Sequence, residues 1–387
     1  MEEVDVIIIG GGPSGIATSA CLNRLKVSNI VLEREDCYAS LWKKRAYDRL
    51  KLHLAKQYCE LPHMPFPKDA PTFVPKNDFV RYLDDYVACF HVSPLLNRNV
   101  ESVFYDDNVS KSSVVAKNLL SGVHEVYFGK FVVVATGENS EGHIPDVSGL
   151  EGFRGKVIHS SQYDNGQSFC GKNVLVVGSG NSGMEIAFDL SNWGAKTSIV
   201  ARSPVHLLTE NIVKVGMFLL KFLPIKVVDT IVLALGNLTH GDVSEYGIQM
   251  PTKGPFFLKV MTGRSPTIDV GSVQKIKSGE IKVFPSIKSI EQNNIKFENG
   301  ETRYFDAIVF ATGYRSTVKT WLKGGNDLFN EHGMPRQRFP NEYWKGMNGL
   351  YCAGFSSRGL LGISQDAQNI AQDISFSLTP KKGKIFQ

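Results

Sequence analysis

The chain has 387 residues, 42% of them hydrophobic and 21% charged, with a formal net charge of +5. That length supports one large core or two domains, in a composition ordinary for a globular enzyme. No long Lys/Arg run and no interleaving of aromatic with basic residues suggests nucleic acid, and six scattered cysteines without a CxxC argue against a zinc knuckle or a dithiol centre. Free thiols in a reducing compartment are the expected state, and no metal site is expected. The mild positive balance suits polyanionic cofactors and an acidic substrate.

The first residues run straight into a strand with no basic segment and apolar core of a signal peptide, so a cytoplasmic location is expected. The apolar run 4–9 feeds Gly10-Gly11-Gly12-Pro13-Ser14-Gly15, a helix over 15–25, and a second strand at 29–32 that ends at Glu33. Residues 42–67 are rich in basic, aromatic and proline residues and read as a loop-rich connection. Within them, the alternation of Arg49, Leu50, Lys51 and Leu52 suits a half-buried strand. Residues 77–90 form an amphipathic helix with Asp78 near its start, and strands with polar turns follow over 100–128. The strand 130–134 then runs into Ala135-Thr136-Gly137, and a near copy, 305–310, runs into Ala311-Thr312-Gly313-Tyr314. Each is a buried strand ending in a tight turn, where glycine tolerates the backbone angles and threonine can satisfy a nearby backbone group.

A second fingerprint, Gly178-Ser179-Gly180-Asn181-Ser182-Gly183, follows the strand 174–177, opens a helix over 183–193, and leads to a strand that ends at Arg202. Each copy thus has the full strand, glycine turn, helix and strand that a dinucleotide site requires. The residue past the second strand reads the ribose. A carboxylate there, Glu33, accepts from ribose hydroxyls and repels a 2′-phosphate, whereas Arg202, with Ser203 beside it, pairs with one. The first site therefore calls for FAD and the second for NADPH. The fold class expected is α/β, with two Rossmann-like domains, the NADPH domain (159–296) inserted in the FAD domain (1–158 and 297–387).

The stretch 211–235 is the most apolar, but Lys214, Lys221, Pro224, Lys226 and Asp229 interrupt it too often for a membrane span. Core or lid helices are expected there, with a surface for a membrane or a partner as the alternative. A strand at 349–355 and a helix at 364–377 complete the chain. The N-terminal donors of that helix are candidates to face the electron-rich edge of a flavin.

Between the two units lies Phe153-Arg154-Gly155-Lys156-Val157-Ile158-His159-Ser160-Ser161-Gln162-Tyr163, which resembles the FxGxxxHxxxY identifying motif of class B flavin monooxygenases. His159 reads equally as a packed, hydrogen-bonding residue. Ala39-Ser40-Leu41-Trp42 and the run from Tyr47 to Leu54 are similar to the plant YUCCA branch of that family. So are Ala135-Thr136-Gly137-Glu138-Asn139, Asn181-Ser182-Gly183-Met184-Glu185 and Thr312-Gly313-Tyr314-Arg315. The resemblance spans about residues 4–375. Gly11 stands where that branch usually has Ala, and Ser179 where Cys or Gly is usual. His53 stands where the broader N- and S-oxygenating enzymes have Asn, which weakens the carry-over of their role.

The resemblance implies an NADPH- and O2-dependent monooxygenase that converts indole-3-pyruvate, an aromatic α-keto acid, to indole-3-acetate (auxin) with loss of CO2 through a C4a-(hydro)peroxyflavin. Gly10, Gly12, Gly15 and Glu33 would hold FAD, with Leu41 and Trp42 packing beside it. Gly178, Gly180, Asn181, Ser182, Gly183, Arg202 and Ser203 would hold NADPH. His53 and Asn139 are the catalytic candidates: His53 either tunes a proton near neutral pH or merely packs. Lys51 and Arg49 are candidate carboxylate partners, or surface charges. Competing readings are an oxygenase of nitrogen or sulfur, a disulfide reductase, which the missing CxxC disfavours, and a non-catalytic flavin-binding redox sensor.

Overall fold

The computed structural model describes residues 2–337 and 342–379, and the chain divides into two compact units. The first contains Met1–Lys44, Lys56–Glu141 and Tyr314–Gln387; the second contains Arg45–Ala55 and Gly142–Gly313. Both are α/β.

In the first unit, β1 (Glu2–Ile9), α1 (Pro13–Arg24) and β2 (Asn29–Leu32) form a parallel βαβ unit, β1 pairing parallel with β2. The helix α2 (Lys76–Cys89) precedes an antiparallel run of β3 (Arg98–Asp106), β4 (Lys111–Asn118) and β5 (His124–Val134). The sheet order is β2-β1-β5-β4-β3. The first half of β5 pairs with β4, and its second half pairs parallel with the late strand Leu350–Cys352. Ile7, Ile9, Val132, Val134 and Cys352 are buried in one cluster with Phe329 and Phe355. These strands are apolar on both faces because elements cover both sides, as parallel sheets require.

The second unit holds a five-stranded parallel sheet. Its strands are β6 (Lys156–His159), β7 (Asn173–Val177), β8 (Lys196–Val200), β9 (Ile281–Phe284) and β10 (Ala307–Phe310), in the order β9-β8-β7-β10-β6. The helix α3 (Asn181–Asn192) joins β7 to β8 and buries Met184, Ile186, Ala187 and Leu190. A satellite of α4 (Glu210–Leu219), α5 (Ile225–His240) and α6 (Pro255–Thr262) has its own core of Ile212, Val213, Val228, Val232 and Phe256. Asp229 is buried and accepts from the Phe256 and Phe257 amides at 2.8 and 3.1 Å, so the one acid of the apolar stretch caps α6. No helix among the described residues is long and apolar enough to cross a membrane.

Two expectations need correction. The division at 158/159 and 296/297 lies elsewhere, because β6 and β10 pair with each other and β10 pairs with β7. The residues around 156–159 and 307–310 therefore belong to the second sheet. Residues 49–52 are not a strand: only an isolated bridge at Lys51 interrupts an irregular segment. Their alternation comes from packing on α3, with Leu50 against the core and the Arg49 guanidinium 4.4 Å from the Phe188 ring centre.

The last helix, Gly359–Leu378, begins earlier than expected and carries Asp366, which is 1% exposed. Its carboxylate accepts from the Gly354 amide at 2.9 Å and from the Tyr343 hydroxyl. Gly354 has φ +82°, and a Cβ there would run into Ser14 of α1, so Asp366 holds a turn that only glycine fits. Burial raises the Asp366 carboxyl to about 6, against the lowering effect of those two donors. The folded state then binds a proton more tightly than the unfolded chain, and this group's contribution to stability grows as pH falls from 7 towards 4. Thermal melts of the holoenzyme across that window should show the wild type gaining about 1–2 kcal/mol relative to Asp366→Asn as the pH falls. Parallel curves for the two proteins would refute the assignment.

Candidate active site

The two fingerprints are built on the same pattern of contacts, each within its own unit. In the first, Ile9 and Val134 are register partners, and the chain continues into Gly10 on one strand and Ala135 on the other. A Cβ on Gly10 (φ +107°) would sit 2.7 Å from the Ala135 carbonyl oxygen. In the second, Val177 and Phe310 are register partners, and a Cβ on Gly178 (φ +118°) would sit 2.5 Å from the Ala311 carbonyl oxygen. A Cβ on Gly15 would overlap the Gly10 carbonyl, and one on Gly183 would overlap that of Gly178, which sets each helix hard against its strand. The resemblance between Ala135-Thr136-Gly137 and Ala311-Thr312-Gly313 therefore has a physical cause: each alanine carbonyl abuts the first glycine of a fingerprint.

The middle glycines behave differently. A Cβ on Gly12 or Gly180 would meet no atom within 4 Å. These positions precede α1 and α3, so open space lies where unpaired helix amides point, as a pyrophosphate requires. The Thr136 hydroxyl, next to Ala135, is buried and has no hydrogen-bond partner among the described residues, whereas that of Thr312 donates to the His143 carbonyl. The cradle at Gly12 and the orphaned hydroxyl at Thr136 fit a dinucleotide at the first fingerprint, and the cradle at Gly180 fits one at the second.

At the end of β2, Glu33 is buried and accepts from the Gly11 amide at 2.6 Å and the Glu35 amide at 2.8 Å, while burial raises its carboxyl. It thus sits against the glycine turn. The segment that carries Leu41 and Trp42 is tied to the same turn, since the Ala39 amide donates to the Gly11 carbonyl at 2.9 Å. Trp42 packs edge-on against Phe79 of α2 at 4.5 Å. At the second site Arg202 lies exposed just beyond β8, with Ser203 half-buried beside it. Asn181 uses its side-chain oxygen to accept from the Ile268 amide at 2.6 Å. Ser182 and Glu185 face the buried Tyr47 hydroxyl, which completes no hydrogen bond of normal geometry.

His53 lies in the second unit. Its Nε2 is 2.6 Å from Oε1 of Glu185, a residue of α3 that is only 3% exposed. Lys51 and His53 act on Glu210, whose carboxyl is raised by burial and lowered in part by those two groups. Arg49 stacks on Phe188 of α3, a contact through the face of the guanidinium. Asn139 lies in the first unit and is exposed. The residue before it, Glu138, accepts from the Ser357 amide at 2.8 Å and its hydroxyl at 2.9 Å.

All four motif residues of FxGxxxHxxxY are structural members of the second unit. Phe153 packs in a core cluster, and a Cβ on Gly155 would overlap the Asp306 carbonyl. His159 Nε2 lies 2.9 Å from the Gly313 carbonyl oxygen and its Nδ1 2.9 Å from the Ser161 hydroxyl; burial lowers its pKa. Tyr163 is fully buried and donates to Asp189 at 2.7 Å. Glu138 and Glu185 lie in runs that carry the family resemblance, but nothing in the sequence marks their partners, and Asp366 has no sequence signal.

Residues 3–321 match the flavin-binding monooxygenase-like family. The chain is 51% identical to the probable indole-3-pyruvate monooxygenase YUCCA10 of Arabidopsis thaliana, over 99% of this chain and all of that one. It is 45% identical to the indole-3-pyruvate monooxygenase YUCCA1 of Oryza sativa subsp. japonica, over 95% and 90%. The flavin-containing monooxygenase of Stenotrophomonas maltophilia has the same fold, with a TM-score of 0.73 at 21% identity over 98% of this chain and all of that one. The bacillithiol disulfide reductase of Bacillus cereus, at TM-score 0.71 and 19% identity over 97% of this chain and all of that one, shares it too. The fold alone therefore does not choose the reaction. The chain belongs to the flavin-binding monooxygenase-like family. It is a monooxygenase that uses FAD and NADPH.

The open and closed glycines separate binding from folding. As apoproteins, Gly12→Ala and Gly180→Ala should melt close to the wild type, the first failing to take up FAD and the second taking up FAD with a raised KM for NADPH. Gly15→Ala should lower the melting temperature of the apoprotein by several degrees, because backbone must move. Full FAD occupancy in Gly12→Ala would refute the cradle.

Proposed function

We propose that the enzyme oxidises indole-3-pyruvate to indole-3-acetate with loss of CO2, in a reducing compartment such as the cytosol. The observation that carries this is the similarity, 51% and 45% identity over nearly the whole chain, to indole-3-pyruvate monooxygenases. The balance is one keto acid anion, O2, NADPH and a proton to one carboxylate, CO2, NADP⁺ and water. One oxygen atom enters the product acid and the other leaves as water.

When bound, NADPH supplies hydride and FAD activates oxygen. The chain supplies placement and protons. In this reading the turn Gly10–Gly12 and the amides at the start of α1 take the FAD pyrophosphate, and Glu33 takes ribose hydroxyls. Gly178 and Gly180, with the amides of Asn181 and Ser182, take the NADPH pyrophosphate. Arg202 and Ser203 take the 2′-phosphate, for which an exposed, uncommitted guanidinium is suited. Lys51 and Arg49 are the cations of this segment available to the substrate carboxylate.

His53 holds or gives the proton at the reacting centre, and Glu185 fixes its ring through Nε2, leaving Nδ1 to act. An α-keto acid must be attacked at its electrophilic carbonyl, whereas an amine or sulfide would itself be the nucleophile. Control of one proton is therefore what separates the two outcomes.

Purified holoenzyme given indole-3-pyruvate, NADPH and O2, with a no-enzyme control for spontaneous decay of the keto acid, should form indole-3-acetate in near-equal amount to NADPH consumed. Hydrogen peroxide alone would overturn the substrate assignment. His53→Ala should keep FAD and lose at least about tenfold in product per NADPH, peroxide rising to match. Glu185→Gln should do the same, and the double variant should be no worse than either single one, because the pair acts as a unit. Additive losses would separate the two residues.

A further inference from the structure

The polar stripe of α3 carries a tyrosine hydroxyl that the fold leaves unfinished. Ser182, Glu185 and Asp189 are spaced three and four residues apart, so they share one side of the helix. Two phenols meet this stripe, their ring centres 6.4 Å apart and set edge-on. Tyr163 is satisfied, its hydroxyl donating to Asp189 at 2.7 Å. Tyr47 is not. It is 4% exposed, in the core cluster that holds Met184 and Ala187, and Ser182 and Glu185 face a hydroxyl that completes no hydrogen bond of normal geometry. Burial raises that phenol well above its ordinary range, so it keeps its proton. A phenylalanine would pack as well, and a buried donor without an acceptor is costly, so the hydroxyl calls for a reason beyond packing.

Its two neighbours belong to different parts of the chemistry. Ser182 stands in the first turn of α3, beside the open space at Gly180. Glu185 is 3% exposed and meets Nε2 of His53 at 2.6 Å. With Glu185 ionised, Nε2 carries a proton, and a neutral ring has its lone pair on Nδ1. A further donor on Glu185 stabilises the carboxylate by itself and weakens its hold on a charged imidazolium, so the ring gives up its second proton more readily. The other ionisable groups around the pair are Glu210 at the head of α4, Lys51 and Arg49 on the segment of His53, and Asp189, which is spent on Tyr163 and the Gly166 amide. None of these stands in the glycine turn, and all the residues named belong to the second unit.

We propose that Tyr47 is a positioning residue that links the nucleotide site to His53. A pyrophosphate at the start of α3 takes the donors of Ser182, and the Tyr47 hydroxyl then closes on Glu185. The inference rests on the reading in which the second fingerprint takes NADPH and His53 handles the proton. Its consequence is that His53 is neutral, with Nδ1 free to accept, when the nucleotide is in place, and is more readily protonated without it. By linkage, protonation of His53 weakens nucleotide binding by the same factor.

Holoenzyme isotopically labelled in its histidine rings is titrated by NMR across neutral pH, with and without saturating NADP⁺, and the His53 signals are assigned by their loss in His53→Gln. In the wild type NADP⁺ should lower the His53 midpoint by about half a unit or more, roughly a threefold change in proton affinity. Tyr47→Phe should abolish that shift. Its NADP⁺ affinity should stay within about threefold of the wild type, and its apoprotein should melt no lower, because no completed hydrogen bond is lost. A wild-type midpoint that ignores NADP⁺, or an equal shift in Tyr47→Phe, overturns the proposal. So does a Tyr47→Phe apoprotein that melts several degrees lower, which would give the hydroxyl to the fold. Product analysis keeps the two readings apart: hydrogen peroxide alone from indole-3-pyruvate, with the NADP⁺-linked shift intact, removes the substrate assignment and leaves the linkage standing.

Discussion

Everything in this molecule depends on how closely two parallel strands can end side by side. At Gly10 and again at Gly178, a strand stops where a neighbouring strand turns away through Ala-Thr-Gly, and the alanine carbonyl occupies the space a side chain would need. The same glycine's own carbonyl is overlapped by any Cβ placed on the fingerprint's last glycine, so the following helix has only one way to leave. Steric exclusion thus fixes the direction of α1 and α3, and that direction aims their free amides at the space beside Gly12 and Gly180. The binding geometry is a by-product of backbone packing.

Carboxylates then do a second kind of work, and most of it is internal. Glu33 and Asp366 each accept backbone amides while buried, and burial raises both carboxyl groups. Glu138 joins the turn after β5 to Ser357, ahead of the last helix. Asp229 and Glu185 are buried too, one capping α6 and the other meeting His53. Each satisfies a donor that would otherwise be stranded in a dry interior, where an unmade hydrogen bond is more costly than a made one is stabilising. Apart from Glu33, these acids lie outside the expected site residues, and Glu138 and Glu185 each neighbour or bind one of them.

The sequence makes the local part of this legible. Glycine spacing, the apolar strands before it and the acid or base after it can all be read within some thirty residues, and both βαβ units fall where such spacing puts them. What it does not show is pairing across distance. His53 and Glu185 are 132 positions apart, and nothing in the alternation of Arg49 to Leu52 says that it reflects contact with a helix rather than a strand in a sheet. The boundaries were misplaced for a related reason: a parallel sheet gathers strands from distant stretches, and β6 and β10 meet only because β10 inserts between β6 and β7. The two threonines of the Ala-Thr-Gly turns look identical in sequence, yet only Thr312 finds a partner.

The partition of the chain has a bearing on biosynthesis. Residues 45–55 belong to a unit whose remaining strands are made a hundred residues later. The second half of β5, complete by Val134, waits for Leu350–Cys352 to gain its outer neighbour. The first unit is thus begun first and finished last, with the second able to close in the interval. During translation an edge of unpaired amides and carbonyls stands open on β5 for more than two hundred residues of elongation. At about 5–20 residues per second, that exposure lasts on the order of ten seconds or more, a window in which chaperone supply rather than final stability would govern yield.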